Sequence, residues 1–235
     1  MKNPIAEIGK PDSLDLVKPE DALPEEEYYC PDKNCLDPER KLTLKVSTLN
    51  NKYFSHRPSC DHDISPQLLL HKMVVAQLKL LPAILLPKTG FLSQPKLFQI
   101  NHKKSRIEFN PDLESTPEIM LINDQEEMVY LDVSFNEEIS DVKYQAAVQQ
   151  NIPYLILDLE DFYYDNLEQL NEIDFLQESV PSLLHNQKVK SWQYLPAHNR
   201  RLTKKTATQI IAGTIVGAIG VAGYLLYKSG KKESD

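Results

Sequence analysis

The chain of 235 residues contains only three cysteines, and all of them fall within residues 30–60. It also has no apolar run near its N-terminus of the kind that a signal peptide needs. An odd number of clustered cysteines without such a leader argues against a secreted, disulfide-stapled scaffold. We therefore expect a reducing compartment. The hydrophobic content of 41% is enough for one substantial folded domain with small appendages.

Acidic residues are scarce in one long segment. Residues 40–106 hold twelve Lys and Arg against only Asp61 and Asp63, a net charge of +10, whereas residues 1–199 as a whole carry −13. A basic segment of this size can neutralise several phosphates of a nucleic acid. The alternative, to which the sequence gives equal weight, is that the segment packs against the acidic rest of the chain. The candidate nucleic-acid contacts are Arg57, Lys103, Lys104 and Arg106.

The cysteines have a spacing typical of a structural zinc site. The pattern is C-x4-C, twenty intervening residues and H-x3-C, formed by Cys30, Cys35, His56 and Cys60. Four such ligands on two turns that flank a small hairpin can close a tetrahedral Zn²⁺ site, and His62 is an alternative to His56. We expect zinc to stabilise a knuckle over residues 28–64, which is too small to have its own core.

The middle of the chain predicts a helix followed by a mixed sheet. Ser65 and Pro66 form a helix start, and the helix runs to about residue 81. Residues 117–122 and 129–135 are rich in β-formers and predict a hairpin. A helix over residues 138–150 and a strand over residues 154–159 then follow. A strand, helix and strand with short joints predict a parallel pair with a right-handed crossover.

Two carboxylates lie on the predicted hairpin. Side chains alternate along a strand, so Asp132 points away from the apolar face. A loop of three or five residues would place Glu118 opposite Asp132, whereas two or four residues would put the acids on opposite faces. Paired carboxylates on adjacent strands suit Mg²⁺, and Lys143 on the next helix can reach the same place. The alternative is an ordinary polar strand face.

The two ends of the chain differ from the middle. Residues 1–27 are acidic and punctuated by proline, so we expect them to be largely disordered. A basic linker, residues 200–206, precedes residues 207–227, which are uncharged and long enough for a transmembrane helix, and residues 228–235 form a short polar tail. The flanking charges and the missing leader favour a C-terminal membrane anchor with the soluble domain in the cytoplasm. Gly213 and Gly217 permit close helix association, and hence a homo-oligomer.

Taken in order, the elements over residues 28–196 resemble the competence protein CoiA-like family. The motifs that carry the resemblance are the Cys-Pro-containing knuckle ending in Tyr53-Phe54-Ser55-His56, Ser65 and His71-Lys72 on a helix, Pro117-Glu118, Leu131-Asp132-Val133-Ser134, Asp141-Val142-Lys143, Ile156-Leu157-Asp158-Leu159 and Trp192-Gln193-Tyr194. That family is similar to the PD-(D/E)xK nucleases. The resemblance implies an α/β fold with a mixed sheet: a restriction-endonuclease-like αβββαβ core over residues 65–199 with a zinc knuckle before it. The transmembrane helix predicted after this core is not part of the family pattern.

The resemblance also assigns roles to residues. Glu118 stands where the first metal-binding Asp would be, Asp132 is the second acid, and Lys143 matches a helix lysine that some members carry. His71 and Lys72 match a helix position that faces the same cleft. Ser134 replaces the signature lysine, so catalysis would depend on Lys143. The implied protein is a membrane-tethered, Mg²⁺-dependent nuclease acting on DNA, and the alternative is a catalytically lapsed module that still binds or scaffolds.

Overall fold

The computed structural model describes residues 4–57, 60, 62, 64–89, 93–108, 117–135 and 140–196. Within these ranges the chain has a mixed α+β architecture, as predicted. The strands are β1 (Ala6–Ile8), β2 (Leu16–Val17), β3 (Tyr28–Tyr29), β4 (Lys41–Val46), β5 (Lys52–Ser55), β6 (Ala83–Leu86), β7 (Lys96–Gln99), β8 (Arg106–Ile107), β9 (Ile119–Ile122), β10 (Met128–Ser134), β11 (Tyr154–Asp158) and β12 (Lys190–Tyr194). The helices are α1 (Pro66–Leu80), α2 (Asp141–Gln150), α3 (Glu160–Asp165) and α4 (Ile173–His185).

The N-terminal residues form part of a sheet, so the expectation that they are disordered is wrong for residues 4–27. Strands β1 to β5 form one antiparallel sheet in the order β2-β1-β3-β4-β5. Ile5 and Ala6 are buried in the same hydrophobic cluster as Leu69 and Leu70 of α1. Residues 28–64 are therefore not a separate knuckle, because β3, β4 and β5 share their sheet with the N-terminal strands.

Helix α1 begins where the sequence predicts. The Ser65 side chain accepts a hydrogen bond from the Leu68 N–H at 3.1 Å, and Pro66 occupies the first turn, where an N–H is not needed. The apolar side buries Leu69, Leu70, Met73 and Val74. This packing fixes the rotation of the helix, and hence the directions in which His71 and Lys72 point.

The second five-stranded sheet has the order β12-β11-β10-β9-β8. Strands β10 and β11 are parallel and joined through α2, as the sequence predicts, while the other neighbours are antiparallel. Residues 97–100 and 106–109 are strand-like in sequence, which predicts that they begin this sheet. Arg106–Ile107 joins it as β8, but strands β6 and β7 form a separate hairpin, so the prediction is wrong for residues 97–100. Strand β12 closes the sheet beside β11.

Helices cover both faces of this sheet. Leu131 and Leu155 belong to the large cluster that includes α1 and α4. Tyr130 and Tyr154, which alternate with them, belong to a second cluster with Ala147 of α2. The period of two along each strand thus divides the side chains between two packed layers. Asp132 points to the α2 face and lies two residues before the C-terminal end of β10.

Helix α4 departs from the predicted boundaries. Residues 160–186 predict an acidic helix over 160–177, a break at Pro181 and a second short helix near 182–186. The structure instead has α3, a gap and then α4, which runs through Pro181. Proline removes one intrahelical hydrogen bond, normally to the carbonyl four residues earlier. Here that residue is Gln177, which is exposed, so water can satisfy the carbonyl. Burial of Val180 and Leu184 on either side of Pro181 stabilises the continuous helix.

No helix among the described ranges is long and apolar enough to cross a bilayer. Residues 207–227, with Gly213 and Gly217, lie outside the described residues.

Candidate functional site

The two predicted acids lie opposite each other. The β9–β10 register pairs Leu131 with Ile119, and the loop between the strands has five residues, which places Glu118 across from Asp132. The Glu118 N–H donates to Asp132 Oδ1 at 2.5 Å. Both side chains are buried, with residue exposures of 2% for Glu118 and 6% for Asp132. Of the two alternatives left open by the sequence, the structure therefore has the convergent one.

Lys143 reaches the second carboxylate from α2. Its ammonium donates to Asp132 Oδ2 at 3.0 Å, and its side chain is only 14% exposed. The same oxygen accepts the Tyr154 hydroxyl at 2.6 Å. Burial and the neighbouring Asp132 charge raise the pKa of Tyr154, so this hydroxyl stays a donor. Asp132 is thus a tightly held carboxylate with donors on both oxygens.

Helix α1 contributes His71 to the same place. His71 Nε2 lies 2.8 Å from Glu118 Oε2. The imidazole ring also contacts Phe135 at the end of β10, with ring centroids 6.1 Å apart. His71 is therefore oriented by an aromatic neighbour and a carboxylate.

These residues line one cleft of about 320 Å³. Its walls come from the sheet edge, α1, α2 and the loop between Cys30 and Cys35. Glu118 Oε1 is buried and, among the described residues, has no hydrogen-bond partner. A buried carboxylate oxygen without a donor is costly unless a cation binds it. The oxygen donor set of Glu118 and Asp132 therefore fits a hard divalent cation such as Mg²⁺.

Lys72 does not join this cleft, so its predicted position is wrong. Its ammonium is fully buried and donates to Glu7 Oε1 at 2.6 Å, with Asp12 Oδ1 at 3.7 Å. Arg40 contacts Glu7 from the other side, at 3.2 Å. Lys72 is rotated about 100° from His71 around the helix axis, and this rotation points its side chain to Glu7 on the N-terminal sheet. Burial lowers the pKa of the Lys72 amine, while Glu7 opposes this effect.

The Cys/His residues form a cluster that can hold a metal ion. Ligand atoms of Cys30, Cys35, His56 and His62 all lie within 4.8 Å of one another, which is compatible with zinc. Burial raises the pKa of the Cys30 and Cys35 thiols, so they are protonated near neutral pH without a metal. Burial and the nearby His62 lower the pKa of His56, which keeps this ring in the neutral form that binds metals.

The ligand set differs from the predicted one in a single member. His62 takes the place of Cys60 in the set whose atoms are mutually within reach, whereas the sequence names His62 only as an alternative to His56. Cys60 remains adjacent, with its Sγ 3.4 Å from Cys35 Sγ and 3.3 Å from His62 Nδ1. The spacing along the chain does not decide which of these Cys and His residues bind the metal, because all of them lie on loops whose geometry the spacing does not define.

Among the described residues, six of the twelve Lys and Arg of the basic segment form ion pairs with acidic residues outside it. Arg57 pairs with Glu39 at 2.7 Å, and Lys104 pairs with Glu126 at 3.0 Å. Lys103 is exposed on the turn after β7. Ion pairs of the same kind join Arg40 to Glu7, Lys41 to Glu27, Lys72 to Glu7 and Lys96 to Glu127. The alternative of internal pairing therefore accounts for much of the positive charge.

Arg106 is the candidate nucleic-acid contact that lies beside the acids. It pairs with Met120 across β8 and β9, two positions from Glu118. Its guanidinium donates to the Pro117 carbonyl at 2.9 Å. The guanidinium therefore borders the strand end that carries the acids, although it is not among the residues that line the cleft.

The site includes two residues that the sequence motifs do not indicate. Tyr154 begins a predicted strand, and its register opposite Tyr130 puts it on the Asp132 face. Asp32 belongs to the predicted knuckle, yet it lines the cleft together with Asn34. The strand alternation could have identified Tyr154, whereas Asp32 reaches the cleft only through tertiary packing.

No family model matches this chain, and no match was found among curated proteins or among solved structures.

Proposed function

We propose that this protein is a membrane-tethered, metal-dependent nuclease of the PD-(D/E)xK type that acts on DNA. The observation that carries the proposal is the convergence of Glu118, Asp132, Lys143 and His71 on one cleft from the β9–β10 hairpin, α2 and α1. Buried carboxylates beside a lysine are the groups that phosphodiester hydrolysis with a divalent cation needs.

The order of elements supports the fold implied by the resemblance. Helix α1, strands β8 to β10, helix α2 and strand β11 follow the αβββαβ sequence of a restriction-endonuclease-like core. The β6–β7 hairpin is inserted after α1, and β12 extends the sheet. The acids lie at the β9–β10 position that such a core uses for its metal ligands.

Each side chain has a definite task in this proposal. When bound, Mg²⁺ supplies a Lewis acid that activates water and neutralises phosphate charge. Glu118 and Asp132 hold the cation, and Lys143 stabilises the negative charge that develops on the phosphate. His71 orients Glu118, and Tyr154 orients Asp132 through their short hydrogen bonds. Zn²⁺ in the Cys/His cluster has a structural role, because its soft donors differ from the oxygen donors of the cleft.

The C-terminal segment sets where the enzyme acts. Residues 207–227 are uncharged and long enough to span a bilayer, with basic residues on either side. The folded part would then lie in the cytoplasm at the membrane surface, and the Gly213-xxx-Gly217 spacing in the sequence would permit self-association. Tethering would restrict cleavage to nucleic acid near the bilayer.

A cleavage assay on the full-length chain tests the proposal. Duplex DNA should be cut in the presence of Mg²⁺, and EDTA should stop the reaction. Asp132→Ala should lower the rate by about 10³ or more, since it removes a ligand and the partner of Lys143. Asp124→Ala is the matched control, because it removes the same charge at the other end of the hairpin. Cleavage that survives EDTA or Asp132→Ala would contradict the proposal, and a parallel RNA substrate decides between the nucleic acids.

A second function, binding without catalysis, is favoured by one observation. Both oxygens of Asp132 already accept hydrogen bonds from protein groups, namely the Glu118 N–H, Lys143 and Tyr154. A lapsed site would keep such contacts for stability alone. Salt-sensitive DNA binding without cleavage at any Mg²⁺ or Mn²⁺ concentration would select this alternative.

A further inference from the structure

The loop between Cys30 and Cys35 belongs to two sites at once. Its ends carry two of the four Cys/His cluster residues. Its middle, Asp32 and Asn34, lines the cleft that contains Glu118 and Asp132. The same six-residue stretch, residues 30–35, therefore borders a soft-donor cluster on one side and a hard-donor cleft on the other.

Asp32 is the side chain that joins the two sides. Its Oδ2 lies 3.6 Å from His62 Nε2, and its backbone N–H donates to Cys30 Sγ at 3.4 Å. Its Oδ1 accepts the Asn34 N–H at 2.8 Å, and its carbonyl accepts the Cys35 N–H at 3.2 Å. Asp32 thus contacts three members of the cluster region while its residue surface contributes to the cleft wall.

The local architecture indicates what orders this wall. The loop between the two cysteines contains no helix or strand, and short-range hydrogen bonds form a turn around Asp32. Carboxylates beside metal-bound histidines orient the ring and raise ligand affinity. A metal in the cluster would therefore fix the Asp32 carboxylate, and with it the position of Asn34, relative to the acids.

We propose that the Cys/His cluster and the acid cleft bind their metals cooperatively, with Asp32 as the positioning residue that couples them. This inference rests on the proposed cation site of the cleft but not on catalysis. Whichever metal binds first orders residues 32–34, so the second binds a wall that is already formed. Coupling between sites is reciprocal, so a cation in the cleft must tighten zinc binding by the same factor by which zinc tightens cation binding.

Zinc affinity with and without Mg²⁺ tests the coupling. The full-length chain is titrated against a chromophoric zinc chelator that has little affinity for Mg²⁺, first without Mg²⁺ and then at saturating Mg²⁺. Mg²⁺ is the probe because thiolates bind it poorly. We expect zinc affinity to rise about five-fold or more in the unaltered protein, the lower end of typical coupling. In Asp32→Ala the increase should fall below about two-fold, since the linking carboxylate is gone.

Two further variants make the result specific. Glu39→Ala removes an equal charge from the same region, but Glu39 is exposed and pairs with Arg57, so the full increase should remain. Asp132→Asn removes a cation ligand of the cleft and leaves the cluster intact, so the increase should vanish. This second variant keeps the test decisive if Asp32→Ala cannot bind zinc at all.

The coupling is overturned if Mg²⁺ leaves zinc affinity unchanged in the unaltered protein, or if the increase persists in Asp32→Ala or Asp132→Asn. These outcomes are separate from the outcome of the cleavage assay. DNA cleavage without an effect of Mg²⁺ on zinc affinity would support the proposed nuclease and reject the coupling. An effect of Mg²⁺ on zinc affinity without DNA cleavage would support the coupling and the alternative of a catalytically lapsed protein.

Discussion

Tyr154 donates its hydroxyl to Asp132 Oδ2 at 2.6 Å, from the strand that runs parallel to the one carrying Asp132. The tyrosine is fully buried, so water cannot replace this donor. The Asp132 carboxylate, a proposed cation ligand, is therefore held by a residue of β11, the strand that follows α2. This hydrogen bond keeps the carboxylate in one orientation.

Replacing this donor should have a larger effect than replacing a similar one elsewhere. Tyr154→Phe removes one hydrogen bond to the Asp132 carboxylate. Because the acceptor is charged, we expect the free energy of unfolding to fall by about 1.5–3 kcal/mol. Tyr194→Phe is the control, because Tyr194 donates to the neutral Asn151 amide at 3.0 Å and should cost about 1 kcal/mol. Urea denaturation measures both. Equal losses would show that the Asp132 contact has no special strength.

The role of the Lys143 charge in cleavage can be tested by moving the lysine to position 134. Lys143→Ala should lower the cleavage rate about 10²-fold or more, because it removes a cation aimed at developing charge. Ser134 lies on the same strand face as Asp132, two residues on. Adding Ser134→Lys to Lys143→Ala should recover at least about ten-fold of the loss. Ser134→Met in the same background is the control of similar length, and equal recovery with Met would argue against a role for charge.

Lys72 should matter for stability and not for chemistry. Lys72→Met leaves Glu7 buried with one cation fewer, and breaking a buried pair in this way typically costs about 3–5 kcal/mol. The cleavage rate per folded molecule should stay unchanged. Lys79→Met, on the same helix, removes only a bond to the Ser13 carbonyl and should cost about 1 kcal/mol. A stable Lys72→Met protein with lost cleavage would place Lys72 in the site after all.

Lys190 gives the protein a measurable alkaline pH dependence. Burial lowers the pKa of its amine from 10.5 to about 8 in the folded state. Between these values the unfolded chain binds the proton more tightly, so stability rises as pH increases from 8 to 10.5 and is lost again as pH falls. The increment is on the order of 3 kcal/mol.

Paired variants isolate this contribution. Lys190→Met should remove the rise in unfolding free energy between pH 8 and 10.5, measured by urea denaturation at a series of pH values. Lys188→Met changes an exposed lysine two residues away and should keep the rise. If Lys190→Met and the unaltered protein show the same pH profile, the buried amine is not the cause.

The Cys/His ligand set can be read from cobalt substitution. Co²⁺ bound by Cys30, Cys35, His56 and His62 should show tetrahedral visible bands with the charge-transfer intensity of two thiolates. Cys60→Ala should leave this spectrum unchanged, whereas His62→Ala should weaken Co²⁺ binding about ten-fold or more. A loss of one thiolate's intensity in Cys60→Ala would restore the set that the sequence predicts.

Much of the main sheet could be predicted from local sequence. Ser65 and Pro66 mark the start of α1, and the β-rich runs mark β9 and β10, because capping and alternation act over a few neighbouring residues. The parallel pairing of β10 with β11 follows from the length of the connection. These features need no knowledge of distant contacts.

The N-terminal strands could not be predicted in this way. Strands β1, β2 and β3 have two or three residues each, too short to show any period. Glu7 also looks like a solvated acid, but Lys72 and Arg40 neutralise it from 65 and 33 residues away. Burial of such a charge is favourable only when its partners are already placed.

The amino-acid sequence by itself determined the main elements, the candidate acids and the clustering of soft ligands, since these depend on residue type and near neighbours. The tertiary structure decided which of them meet. A five-residue loop set the register that places Glu118 opposite Asp132, and the packing of α1 turned His71 toward the acids and Lys72 away from them. Loop packing brought His62 into the cluster and Asp32 to the cleft, because contacts between distant segments follow from the shared core and not from spacing along the chain.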